Sequence, residues 1–97
     1  MVIEFAEIDV KPGMEAEFIA GVETSRPLFL RSPGCHGLVL HRSIEQPQHF
    51  ILNIKWDSVA AHEAFRAAPE FALWRANVSA CFAAAPNVWH GERVVGA

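Results

Sequence analysis

Within MVIEFAEIDV, the opening stretch of the chain, apolar side chains occupy both faces of one strand: Val2, Ala6, Ile8 and Val10 share one parity, Ile3 and Phe5 the other. The segment His49–Trp56 repeats this. Phe50, Leu52, Ile54 and Trp56 alternate with Ile51, Asn53 and Lys55, so one face is strongly apolar and the other mixed. Strands apolar on both sides need cover on both sides, and no other feature constrains the fold as much. A chain of 97 residues reads as a single domain, residues 1–97, without room for a second core. Its 52% hydrophobic content is rich for that length, because small domains have much surface per unit of core. Some of this apolar surface is therefore expected to meet a partner or a ligand.

The order of elements reads β-α-β-β-α-β. Lys11-Pro12-Gly13 stops the first strand, about Val2 to Val10. From Met14 to about Leu30 the residues Met14, Phe18, Val22 and Phe29 follow helical spacing, with Glu15 and Glu17 suited to the helix N-terminus. Pro27 removes one intrahelical hydrogen bond, so a kink or break is expected near Ser25 to Arg26. Ser32-Pro33-Gly34 turns the chain into a second strand, about Gly37 to Glu45, which Gln46-Pro47-Gln48 joins to the third as an antiparallel hairpin. Ser58 is a candidate N-cap for a helix from Val59, and Pro69 with Glu70 marks where that helical region restarts. Its downstream half sets Phe71, Trp74, Val78 and Cys81 or Phe82 on one stripe. Asn87 to Val95 is the expected last strand.

Two β-α-β units of this size predict an α+β domain, a four-stranded antiparallel sheet with the helices on one face, the ferredoxin-like arrangement. The opposite face would carry either Ile3, Phe5, Val39, Ile51 and Trp89 or the alternative parity, both too apolar for water. A homodimer paired through the sheet face follows.

Eight Lys and Arg against 11 Asp and Glu, a net charge of −3, offer no footprint for phosphate backbones or anionic membranes, so neither nucleic acid nor a membrane is expected as a partner. No apolar run reaches membrane-spanning length, and a soluble, cytoplasmic protein is expected. Cys35 and Cys81 fit no metal or redox spacing, so free thiols in a reducing compartment are the expectation.

Several segments, in order, resemble the antibiotic-biosynthesis monooxygenase family of dimeric α/β barrels. They are Val10-Lys11-Pro12-Gly13 with Glu15 and Phe18, Pro33-Gly34-Cys35, and Ser43-Ile44-Glu45 with Pro47 and Phe50. Trp56 with Ser58 and His62 follows, then Phe65-Arg66 with Pro69, Phe71 and Trp74, and last Phe82, Pro86, Val88 and His90. The resemblance spans nearly the whole chain. It implies two ferredoxin-like sheets closing face to face, with a ligand pocket between sheet and helices in each subunit. It also implies cofactor-independent oxygenation of a small phenolic or quinol compound. The haem-degrading branch carries an Asn in the first strand, a Trp ending the third and a His along the second helix; only Trp56 matches here, and Phe65 stands near the place of that His.

Oxygenation without cofactor or metal needs an apolar cavity, a base that forms the phenolate, and exclusion of water. Imidazole suits the base, and of the five His the two within the matching segments, His62 and His90, are the catalytic candidates, with His41 behind them. His36 and His49 adjoin turns and are expected in solvent. His62, Phe65 and Arg66 fall on one helical face. Trp56, Phe65, Arg66, Trp74 and Asn53 are the candidate substrate-binding residues: aromatic walls, a guanidinium for an anionic oxygen, and an amide that needs a partner wherever it is buried. Plain packing roles are equally open to both histidines, an ion pair with Glu63 or Glu70 is open to Arg66, and Asn53 can instead bond across the dimer. No His pair has metal-site spacing. The alternatives to an oxygenase are a dimeric small-molecule binding protein without turnover, or isomerase or lyase action.

Overall fold

The computed structural model describes residues 1–96. Strand β1 runs Val2–Asp9, helix α1 Glu15–Leu30, β2 Cys35–Arg42 and β3 His49–Trp56. Helices α2 (Val59–Arg66) and α3 (Pro69–Val78) follow, then a single 3₁₀ turn, Ser79–Cys81, and β4, Asn87–Gly91. The strands form one antiparallel sheet in the order β2-β3-β1-β4, which is the ferredoxin-like α+β arrangement. Among the described residues no helix is long and apolar enough to cross a membrane.

Pleat parity decides which side is the core. Ala6, Ile8, Phe50, Leu52, Ile54 and Trp56 point under the helices and are buried, with Phe18, Val22, Phe29, Phe65, Trp74 and Val78 above them. Phe29 joins the helical layer together, its ring 4.7 Å from Phe65 and 5.0 Å from Trp74. Burying aromatic side chains of this size supplies most of the driving force of so small a domain. Helices α1 and α3 approach closely at Gly21, where an added Cβ would stand 2.7 Å from the Asn77 carbonyl. The same contact is tied by polar groups: Asn77 Nδ2 donates to Ser25 Oγ (2.9 Å), which donates to the Gly21 carbonyl (2.7 Å).

Local signals account for the ends of the helices. Ser58, extended, accepts the Ala61 amide at 3.1 Å and starts α2, and Pro69 at the first turn of α3 restarts the helix after Ala68. The expected break near Ser25 to Arg26 does not occur. Helix α1 runs unbroken through Pro27, because the carbonyl deprived of its partner belongs to exposed Glu23, where water serves. The Pro27 carbonyl is still used a turn later, Arg31 N–H donating to it at 3.1 Å. Strand β2 begins and ends earlier than expected; its end is turned by Ser43, whose Oγ accepts the Gln46 amide. Strand β4 stops at Gly91 rather than Val95, since Gly91 already pairs with Ile3 near the start of β1 and little partner strand is left.

The uncovered sheet face carries Ile3, Phe5, Val39, Ile51 and Trp89, with Phe5 and Trp89 stacked at 4.3 Å. Val39 and Trp89 remain about half exposed, at 52% and 47%. Asn53 belongs to this face, beside Phe5 and Val39 in the ladders. That corrects its expected place among the ligand-facing residues: sharing parity with Ile51 and Lys55, it points away from the helices.

Candidate functional site

Glu4 is the one carboxylate on the helix-facing side of β1, set in register with Ile54 of β3 and His90 of β4. Burial of such a group requires partners, and two side chains supply them. Trp56, two residues beyond Ile54 on the same face, donates its indole N–H to Glu4 Oε1 at 3.0 Å. Helix α2, capped by Ser58, buries His62 and Phe65, and His62 Nε2 lies 3.1 Å from the same Glu4 oxygen. The His62 ring stacks on the Trp56 indole at 5.3 Å, and its Nδ1 lies 2.7 Å from Nε2 of His90. A continuous polar chain, Trp56–Glu4–His62–His90, thus crosses the layer between sheet and helices. Glu4 and His62 are buried, His90 half-buried.

Burial pushes the Glu4 carboxyl up to about 6, with the Trp56 hydrogen bond and the Arg66 charge holding it back. Burial, reinforced by His90 and Arg66, pushes His62 down to about 4. Near neutral pH Glu4 is therefore an anion that only accepts hydrogen bonds and His62 is neutral. Those states fix the direction of both bonds: His62 Nε2–H donates to Glu4, and His90 Nε2–H donates to His62 Nδ1. The Glu4 carboxylate thereby orients the His62 ring, and His62 in turn orients His90.

Glu4 and His62 also line a cavity of about 490 Å³ between sheet and helices. Its apolar walls include Ile8, Leu52, Phe71, Trp74, Phe82 and Val88, with Arg66 and Arg75 among the polar groups. This volume accommodates one or two aromatic rings. Of the expected site residues, His62, Arg66 and Trp74 line the cavity directly. His90 stands behind His62. Trp56 is fully buried and acts through its N–H and stacked ring, while Phe65 is packed between Phe29 and Trp56 in the core. Arg66 makes no ion pair with Glu63 or Glu70; the Glu70 carboxylate meets Arg31 at 3.4 Å. His36 and His49 are bound to acids away from the cavity, His36 to Asp57 and His49 to Asp9, and His41 is exposed on β2. Both cysteines are free thiols, their ionisation pushed up by burial.

Two charged residues of the cavity, Glu4 and Arg75, were not anticipated from sequence. Glu4 was legible as the single acid inside the apolar parity Val2, Ala6, Ile8, Val10. Arg75 follows Phe71 by four residues, one helical turn, so the two share a face of α3.

Residues 1–77, which contain Glu4, His62 and Arg75, match the model of the family described as antibiotic biosynthesis monooxygenase. The chain belongs to that family. Proteins of the antibiotic biosynthesis monooxygenase family are typically dimeric. A crystal structure of a candidate antibiotic biosynthesis monooxygenase from Bordetella bronchiseptica is 48% identical and superposes with a TM-score of 0.95, covering 97% of each chain. A candidate member from Nitrosomonas europaea, 17% identical over 98% of this chain and 100% of its own, shares the fold with a TM-score of 0.84. The uncharacterized protein YczJ of Bacillus subtilis (strain 168) is 27% identical over 95 residues, 97% of this chain and 100% of its own length.

Proposed function

We propose that this family member is a monooxygenase that needs no flavin, haem or metal and acts on a small phenolic or quinol compound. The observation that carries the reading is the Glu4–His62–His90 chain bordering an aromatic-walled cavity. A phenolic hydroxyl gives its proton to the imidazole chain, and the resulting phenolate passes one electron to O2. The radical pair joins at a ring carbon as a hydroperoxide; loss of water then leaves a quinone, so one oxygen atom enters the ring and the other departs as water. The protein supplies deprotonation, placement and exclusion of water. His62 and His90 are the groups that move the proton. Trp74 walls the ring, Trp56 and Phe65 hold His62 in place, and Arg66 lies where it can hold an anionic oxygen of the substrate away from the reacting hydroxyl.

The uncovered face, with the Phe5–Trp89 stack on β1 and the edge strand β4, is the proposed homodimer interface, where Asn53 would find its partner. The pairing of β4 with β1 joins the chain's two ends in one sheet and supports the reading of a single domain, of which residue 97 lies outside the described residues, and the free thiols favour a cytoplasmic setting.

Oxygen uptake on a panel of quinols and phenols tests the function. Wild type is expected to consume one O2 per quinone formed, and His62→Ala or His90→Ala to slow this about 10²-fold or more. Uptake unchanged in both variants would overturn the assigned roles. Binding without turnover is the second reading, favoured by the fact that both ring nitrogens of His62 already have protein partners; a phenol recovered unchanged from the complex under air would support it.

A further inference from the structure

Arg66 and Arg75 come from different helices to one cavity. Arg66 ends α2 and Arg75 lies in the last turn of α3, yet both guanidiniums stand 6.0 Å from the centroid of the same ring, Phe71, and Arg75 also lies 5.6 Å from Phe82. Both are exposed and both line the cavity, so they sit at its mouth. Glu4 and His62, lining the same cavity but buried, form its inner end. Neither arginine has an acid partner: the arginine ion pairs among the described residues are Arg26–Glu23 and Arg31–Glu70. The only carboxylate lining the cavity is Glu4. The cavity is therefore polarised, with two cations at the mouth, one anion at the inner end and aromatic walls between.

A neutral quinol uses only the inner end of such a cavity. We propose that the ligand is a hydroxylated aromatic acid, its carboxylate held at the mouth by Arg66 and Arg75 and its hydroxyl turned inward toward Glu4, His62 and His90. The inward orientation of the hydroxyl rests on the oxygenase reading; capture of the carboxylate does not. The guanidinium fork matches a carboxylate in shape, and both forks stand within cation–π reach of Phe71, which keeps them beside the cavity. Cations in the last turn of a helix also favour its dipole, but that role makes no distinction between ligands.

Calorimetry under nitrogen separates the two, because binding is read without turnover. The probes are 2,5-dihydroxybenzoate against 2,5-dihydroxybenzamide, and 1,4-dihydroxy-2-naphthoate against its amide. Within at least one pair the acid is expected to bind about tenfold or more tightly than the amide. Arg66→Gln and Arg75→Gln should each weaken the acid about tenfold and leave the amide unchanged. Equal affinity for acid and amide, no binding of either acid, or Arg variants that bind the acid as wild type does would overturn the proposal. Oxygen uptake on neutral quinols alongside any of those results would leave the oxygenase reading standing. Acid binding lost in the Arg variants, with no oxygen uptake on any substrate, would sustain this inference and overturn that reading.

Discussion

Glu4 and His62 are displaced in opposite directions by the same cause. Burial disfavours charge on each, raising the carboxyl to about 6 and lowering the imidazole to about 4. Their linkage to stability is therefore opposed. As pH falls from 6.5 toward 4, the unfolded chain takes up a proton at His62 that the folded chain refuses, and stability drops, on the order of 3 kcal/mol for this group alone. As pH falls from 6 toward 4.5, the folded chain takes up a proton at Glu4 more readily than the unfolded chain, which restores on the order of 2 kcal/mol. Glu4→Gln keeps an acceptor for Trp56 and His62 but abolishes the second effect. The variant is expected to be at least as stable as wild type at pH 8 and to lose stability more steeply between pH 6 and 4.5. Urea-denaturation midpoints across that range measure this, and parallel curves would refute it. Because a protonated imidazole chain then lacks its counter-charge, turnover should fall about 10- to 100-fold at pH 7. From the sequence the two histidines were legible as chemistry, whereas Glu4 was passed over although it interrupts an apolar parity. Asn53 illustrates the converse: its residue type suggested a ligand contact, and the parity it shares with Lys55 put it on the other face.

At the scale of elements, α2 carries His62 into the site, and its start depends on one side chain. Ser58→Ala removes the acceptor for the Ala61 amide, with an expected loss of about 1 kcal/mol. If the cap also aims His62, kcat should fall while the variant is still fully folded, a readout that loss of stability alone would not produce. The turn ahead of β2 is equally exacting: Gly34 takes a left-handed φ of +84°, and a Cβ there would come within 2.8 Å of Ala61, so the absence of a side chain lets α2 pack against this turn. Strand β3, the cap and the Pro69 restart were all legible, because period-2 alternation, a hydroxyl at an N-cap and a proline at a first turn act locally. The break assigned to Pro27 was not, since the consequence of a missing hydrogen bond depends on whether water reaches the orphaned carbonyl, and that is decided by which way the helix faces.

Over the whole molecule, the sheet has one covered side and one apolar side in the open. Two copies meeting there would bury the Phe5–Trp89 stack, and Phe5→Arg, which places an unpaired charge in that interface, is expected to convert dimer to monomer in sedimentation velocity while leaving the helix-covered core folded. A dimer that persists at micromolar concentration would place the interface elsewhere. The sequence by itself determined the element order, the ferredoxin-like class, the apolar excess on both strand parities and the family, because each is carried by periodicity, turn residues or motifs whose physics is local. Only the tertiary structure decided which parity lies beneath the helices, and with it nearly everything about the site. It turned Glu4, Trp56 and His90 inward to meet His62 and sent Asn53 outward, and it brought Arg66 and Arg75 from separate helices to one cavity mouth. The physical reason is that alternation makes the two faces of a strand distinct without naming them; what names them is the pairing of distant strands and the helices that settle on one side.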